Sequence, residues 1–320
     1  MTEIRQIDAA TVERVLDDRG LIDALREMFR VGCTVPVRHH HSVAVPGEAE
    51  ATLLLMPAWQ EGGVIGVKVV NVFPGNAAHG EAAVNGVYLL FSARTGRLEA
   101  LIDGNMLTLR RTACASALAA TYLARPDATH MVMVGTGKLA PHLIGAHASA
   151  RPIRDIRIWG RKPDKAAALA DRLRQLPRYR AAEIAVATDL AAAIGAADVI
   201  SCATLSATPL VRGVWLKPGA HLDLVGAYTP NMREADDDAV RRAAGAVYVD
   251  TRAGATKEGG DIVQPIANGI LSLSDIAGDL FDLARGAAPG RRDATQITFF
   301  KSVGTALEDL AGARLAVERG

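Results

Sequence analysis

Three places in this chain carry residue types that do chemistry only when they are held rigidly. The first is a short apolar run, His130-Met131-Val132-Met133-Val134, which feeds into Gly135-Thr136-Gly137-Lys138-Leu139-Ala140 and then an Ala-rich helical stretch. Strand, G-x-G-x-x-A and helix in that order open a dinucleotide-binding βαβ unit. Gly135 permits the tight turn, Gly137 leaves room for a pyrophosphate against the backbone, and Ala140 lets the helix pack closely on the strand. Backbone N–H groups from Gly135 through Thr136, Gly137, Lys138 and Leu139 would meet the phosphates at the positive end of that helix. The Gly137-Lys138 pair also resembles the tail of a nucleoside-triphosphate loop. That motif needs Gly where Val132 stands and Ser or Thr where Leu139 stands, so it is rejected.

The second place is the end of the following strand, Trp159-Gly160-Arg161-Lys162. A site for NAD usually carries Asp or Glu there for the ribose 2′-hydroxyl. Arg161 and Lys162 would instead attract a 2′-phosphate, which points to NADP(H), with NAD(H) as the alternative. The plain reading of the same pair is a solvated turn before a helix. Asp198 to Thr204 has the form of a further strand meeting the nucleotide at its carboxyl end, which puts Ala203 and Thr204 beside the cofactor. The third place is a pair of cations. Lys68 interrupts the apolar run Val64–Val72, so it either lies at a sheet edge or points into a site. Arg111 opens an Ala-rich helix. A guanidinium can grip a carboxylate with two parallel hydrogen bonds, and the competing role for Arg111 is a structural ion pair.

These residues need elements to hold them. Before residue 123 the pattern is a helix over Thr11–Phe29, then β-like runs over Thr52–Met56, Val64–Val72, Val84–Ser92 and Arg97–Ile102, with turns at Pro46-Gly47, Pro74-Gly75-Asn76 and Thr95-Gly96. This predicts an antiparallel or mixed sheet with a helix. An Ala-rich helix over Leu107–Leu123 links it to a strand–helix–strand rhythm from Thr129 onward. Strands are expected at 130–134, 155–159, 183–187, 198–203, 221–225 and 246–250, and helices at 138–149, 163–175, 189–194 and 233–243. The last segment, Thr298–Glu318, reads as one long helix outside that rhythm. The fold class expected is α/β: a Rossmann dinucleotide-binding domain over 123–295 and a discontinuous α+β domain over 1–122 and 296–320.

Composition limits the function classes. The chain has 320 residues, 49% of them hydrophobic but only 4% aromatic, which suits a core of Ala, Val, Leu and Ile around buried parallel strands. A formal net charge of +1 gives no electrostatic case for nucleic acid or a membrane surface. Cys33, Cys114 and Cys202 show no C-x-x-C spacing and read as small buried residues of a reducing compartment. The segment Met1-Thr2-Glu3-Ile4-Arg5 lacks a signal-peptide pattern, and no apolar run approaches the ~20 residues of a spanning helix. A cytoplasmic protein is the expectation. His39-His40-His41 reads as a loop in which adjacent side chains diverge, so no metal is expected. Asp236-Asp237-Asp238 reads as charge favouring a helix start.

Several segments in the same order resemble the ornithine cyclodeaminase/mu-crystallin family. They are Gly66-Val67-Lys68-Val69-Val70-Asn71 with Pro74-Gly75-Asn76, Leu107-Thr108-Leu109-Arg110-Arg111-Thr112-Ala113, Val134-Gly135-Thr136-Gly137 and Ile158-Trp159-Gly160-Arg161. Val225-Gly226-Ala227-Tyr228-Thr229-Pro230-Asn231-Met232-Arg233-Glu234 follows, then Lys257-Glu258-Gly259-Gly260-Asp261 and Phe300-Lys301-Ser302-Val303-Gly304 with Glu308-Asp309. The resemblance implies a homodimer whose first domain binds substrate and dimerises, acting on amino or cyclic imino acids by hydride transfer at the α-carbon. It places Lys68 and Arg111 at the substrate-carboxylate positions with Arg38 as a third, and Thr112, Val225 and Gly226 beside the cofactor. Arg110 faces elsewhere on its helix and is left out. Lys257, Glu258 and Asp261 receive no role.

At Tyr228 the chain departs from ornithine cyclodeaminases, which carry an Asp there. The surroundings of Tyr228, in contact with substrate on this reading, are closer to the ketimine-reductase version. A phenol with a pKa near ~10 is a poor base at neutral pH. The expected activity is therefore NAD(P)H-dependent reduction of a small cyclic imino acid, Δ1-pyrroline-2-carboxylate to L-proline above all. Lys68 and Arg111 are its catalytic candidates. The alternatives are an ornithine or lysine cyclodeaminase releasing ammonia with catalytic NAD, and a non-catalytic small-ligand binder.

Overall fold

The computed structural model describes residues 4–320, the side chain of Ala77 excepted. The chain up to Thr112 joins Thr305–Gly320 in one compact unit, and Ala113–Gly304 form the other.

In the first unit, β1 (Arg5–Ile7) leads to α1 (Ala9–Val15) and α2 (Asp18–Val31). The single helix expected over Thr11–Phe29 is broken at Leu16-Asp17. Asp8 caps α1 through Thr11 N (2.8 Å), and Asp17 starts α2 afresh by accepting from Gly20 N (2.9 Å). The strands are β2 (His39–Val43), β3 (Ala51–Trp59), β4 (Val64–Val72), β5 (Val84–Ser92) and β6 (Leu98–Asp103). They form a mixed six-stranded sheet in the order β1-β6-β5-β4-β3-β2, antiparallel except for the β1–β6 pair. His39-His40-His41 are thus not a loop but the start of an edge strand. Among the described residues no group of His, Cys, Asp or Glu is arranged to hold a metal ion.

Helix α3 (Gly104–Leu123) is continuous across the boundary at Thr112. The limit expected at residue 122 falls near its end instead, because the Ala-rich helix supplies buried residues such as Ala117, Leu118 and Leu123 to the second unit. That unit holds β7 (His130–Val134), α4 (Ala140–Ala150), β8 (Asp155–Trp159), α5 (Pro163–Arg174), β9 (Glu183–Val186), α6 (Leu190–Ala196) and β10 (Val199–Cys202). It continues through β11 (His221–Leu224), α7 (Asp237–Arg242), β12 (Val247–Val249), α8 (Arg252–Glu258), α9 (Gly260–Ala267), β13 (Ile276–Asp279), α10 (Leu280–Ala284) and β14 (Thr298–Lys301). All eight strands run parallel in the order β13-β12-β14-β11-β10-β7-β8-β9. The order reverses beside β7, between β8 and β10. In an open parallel sheet that is where ligands meet the carboxyl ends of strands. The core beneath is aliphatic: Val132, Val134, Ile200, Leu222 and Leu224 are all buried.

The reading of 298–318 as one helix is corrected. Thr298-Phe299-Phe300-Lys301 is aromatic and β-branched enough to form β14, which inserts between β11 and β12. The chain turns at Gly304, with a positive φ of 79°, and only then enters α11 (Ala306–Arg319). The limit expected at 295/296 therefore moves to 304/305. Helix α11 packs on α2 and on β3, β4 and β5 of the first unit.

Candidate active site

The first unit gathers three cations around two carboxylates. Lys68 sits in the interior strand β4, opposite Met56 of β3 and Tyr88 of β5. Period-2 alternation puts Lys68 on the same buried face as Gly66 and Val70, and it is 2% exposed. The carboxylates come from the first turn of α11, where the helix N-terminus favours negative charge. Lys68 Nζ lies 2.8 Å from both oxygens of Asp309 and 3.3 Å from Thr108 Oγ1. Arg111, from α3, donates through Nε to Asp309 at 2.9 Å and through a terminal nitrogen to Glu308 at 2.5 Å. Arg38 lies just before β2, and its charge acts on both Lys68 and Asp309. Three cations against two carboxylates leave a formal surplus of one positive charge, suited to a monocarboxylate.

Electrostatics follow from burial. Burial, with the neighbouring Arg111, lowers the Lys68 ammonium to about 8 despite the attraction of Asp309. For Asp309 burial acts upward, but Arg111 and Lys68 outweigh it and hold the carboxyl below its ordinary value. Arg110, one residue from Arg111, takes a different role: it donates to Leu16 O and to Asp18 (2.7 Å).

Glu308 and Asp309 carry no sequence signal of a role in the site. Thr305-Ala306-Leu307-Glu308 has the S/T-x-x-E spacing of a helix start, and that signal locates the acidic turn. Nothing local says that it faces Lys68.

The second unit carries a pocket of ≈ 480 Å³ at the carboxyl ends of β7, β8 and β10. Gly135 and Thr136, Gly160, Arg161 and Lys162, and Ala203 and Thr204 all line it. Trp159, Lys165, Leu205, Ser206 and Leu210 complete the lining. Lys165, in the first turn of α5, adds a third cation beside Arg161 and Lys162. Gly135 has φ +123°, and a Cβ there would fall 2.6 Å from Ala203 O, so only glycine fits. Gly137 has open space where a Cβ would stand. Helix α4 begins at Ala140 with no side-chain cap on its first turn, which leaves backbone donors at its start. These features fit a dinucleotide diphosphate. Gly137, Lys138 and Leu139 belong to the turn before α4 but not to the pocket wall, and Val225 and Gly226, which follow β11, do not line it either. Thr112 is on α3 in the first unit, whereas the pocket is in the second. Tyr228, in the second unit, is 46% exposed.

A parallel sheet with a ligand pocket at its switch point, joined to a discontinuous α+β unit, defines a two-unit α/β protein of Rossmann type. The chain belongs to the ornithine cyclodeaminase/mu-crystallin family, whose profile matches residues 2–320. It is 39% identical over 293 residues to a Δ1-pyrroline-2-carboxylate reductase of Paracoccus denitrificans, covering 91% of this chain and 89% of that one. The solved structure of the Thermococcus litoralis Δ1-pyrroline-2-carboxylate reductase in complex with NADH and L-proline is similar, with TM-score 0.90 and 29% identity over 99% of this chain and 97% of that one. An archaeal alanine dehydrogenase dimer with bound NAD matches with TM-score 0.88 and 26% identity, covering 99% and 95%.

Proposed function

We propose that this chain is an NAD(P)H-dependent reductase of small cyclic imino acids, with Δ1-pyrroline-2-carboxylate reduced to L-proline as its reaction. The observation that carries this reading is the convergence of Arg38, Lys68 and Arg111 on Asp309. A carboxylate beside the reacting carbon needs such a cluster, and the relatives that act on pyrroline-2-carboxylate support the choice of acid.

The cofactor belongs to the second unit. Gly135, Thr136 and Gly137 with the start of α4 would take the diphosphate, and Ala203 and Thr204 the segment beyond it. Arg161, Lys162 and Lys165 would take a 2′-phosphate, which makes NADP(H) the preferred form. When bound, the reduced nicotinamide supplies the hydride for the imine carbon. In the first unit, Arg38 and Arg111 hold the substrate carboxylate and fix its orientation. Lys68, protonated below about 8, gives its proton to the imine nitrogen, so hydride and proton together convert C=N to CH–NH. Asp309 holds Lys68 and Arg111 in place. The functional form on this reading is a homodimer, which the dimer of the archaeal alanine dehydrogenase supports.

Deamination is disfavoured because Tyr228 offers no carboxylate for a side-chain amine. An assay with NADPH or NADH and a panel of imino acids tests the reading. Loss of the nicotinamide absorbance with pyrroline-2-carboxylate is expected. Brisk ammonia release from ornithine without that loss would replace it with the cyclodeaminase reading, and tight dinucleotide binding with neither activity would replace it with a ligand-binding role.

A further inference from the structure

Beneath the pocket of the second unit lies a buried carboxylate that no step above uses. Glu234 is fully buried. One of its oxygens accepts from Thr204 N (2.7 Å) and Thr204 Oγ1 (2.9 Å). The other accepts from Gly226 N (2.7 Å) and Ala227 N (3.3 Å). A single side chain thus ties the loop after β10, which lines the pocket, to the loop after β11. The approach is tight: a Cβ on Gly226 would fall 2.0 Å from Thr204 O and 2.6 Å from Glu234 Oε1. Glu234 is itself fixed from behind, because Asp261 of α9 accepts from Glu234 N (2.8 Å) and Ala235 N (3.0 Å). Lys301 of β14 stands 3.3 Å from Asp261.

We propose that Glu234 is a positioning residue that holds the dinucleotide-binding loop at Ala203–Ser206 in shape only while it is ionised, so that cofactor affinity follows its protonation. This deepens the assignment of the pocket to a dinucleotide and rests on it. As a carboxylate, Glu234 accepts from all four donors. As an acid it places its own O–H against backbone N–H groups, and one of the two loops loses its anchor. The groups facing it are Lys301 from β14, Asp261 from α9 and the Cys202 thiol from β10. Burial raises Glu234 to about 7; Lys301 opposes that rise and Asp261 adds to it. Cys202 stays a thiol, because burial and then the Glu234 charge push its ionisation well above the ordinary range.

The test is the dissociation constant of NADH, a probe without a 2′-phosphate, measured by nicotinamide fluorescence without substrate from one pH unit above to one below the Glu234 midpoint. The ionised fraction falls about tenfold across that span, so Kd is expected to rise about tenfold on acidification. Glu234→Gln is expected to bind weakly with a flat profile. Thr204→Val, which deletes one donor, covers the case in which Glu234→Gln does not fold: its midpoint is expected to move to higher pH, since the carboxylate loses a stabilising hydrogen bond. A flat wild-type profile, an unaltered pH dependence in Glu234→Gln, or an unmoved midpoint in Thr204→Val would each overturn the role of Glu234 while leaving the pocket assignment intact. Failure of the wild-type protein to bind NADH or NADPH at any pH would overturn the pocket assignment, and this proposal with it.

Discussion

Lys68 Nζ and the Asp309 carboxylate, 241 residues apart in the chain, lie 2.8 Å from each other in the core of the first unit. One comes from the middle of a sheet and the other from the first turn of the last helix. Their pairing ties the end of the chain to its beginning.

Asp309→Asn keeps the shape of that pairing and removes its charge. Lys68 and Arg111 are then left buried, with Glu308 still bonded to Arg111. Unfolding in urea is expected to show a loss of about 3–5 kcal/mol, the cost of stranding buried charge. Turnover is expected to fall about 100-fold as the cluster loses its geometry. An unchanged unfolding midpoint would show that Asp309 is not the keystone.

Lys68 sets an upper pH limit. Its Nζ carries a proton below about 8 and loses it above, so kcat/KM for imine reduction is expected to decline as pH rises through that value. Lys68→Arg cannot titrate there, and its residual activity is expected to lack that limb. A wild-type profile flat to higher pH would remove Lys68 as the proton donor.

Replacing Arg161 and Lys162 together with Ala is expected to weaken NADPH by at least about 10-fold and to leave NADH nearly unchanged, because on the proposed reading each cation would make a charge-assisted contact to the 2′-phosphate alone. Isothermal titration with both dinucleotides measures it. Equal losses for the two would refute the NADP preference.

Acid should weaken the second unit through its buried His221, whose imidazole burial lowers to about 3 and which meets Thr298 Oγ1 at 3.0 Å. The unfolded chain takes up a proton near ~6.5 and the folded one does not. His221 therefore costs no stability above that pH and about 1.4 kcal/mol per unit as pH falls from there toward 3. Asp223 adds a loss at the acid end. Burial raises its carboxyl, but hydrogen bonds from His147 and Ser201 bring it below the ordinary value, a contribution present above the unfolded pKa and lost below it. Melting curves across that range should be less steep in pH for His221→Asn; identical slopes would contradict this.

Much of this fold is written locally. Val64–Val72, Val84–Ser92, His130–Val134 and Asp155–Trp159 are strands at the residues their apolar runs mark. The remaining features have short or non-local causes. Strand β13 has four residues, too few for a period to show, and β14 was absorbed into a helical pattern that belongs only to α11. Lys68 and Arg111 stood out as cations in apolar surroundings, whereas Glu308, Asp309 and Glu234 look like ordinary surface acids. Only folding shows that Glu308 and Asp309 meet the cations of the first unit and that Glu234 meets the amides of the second.

The most direct test of the whole account is the fate of a deuterium label. Incubated with Δ1-pyrroline-2-carboxylate and NADPH deuterated at the transferred C4 position, the protein is predicted to yield L-proline labelled at C2, with the yield collapsing in Arg111→Ala. Unlabelled proline formed from ornithine with release of ammonia, or full activity in Arg111→Ala, would contradict the claim that this cluster holds an imino acid for reduction.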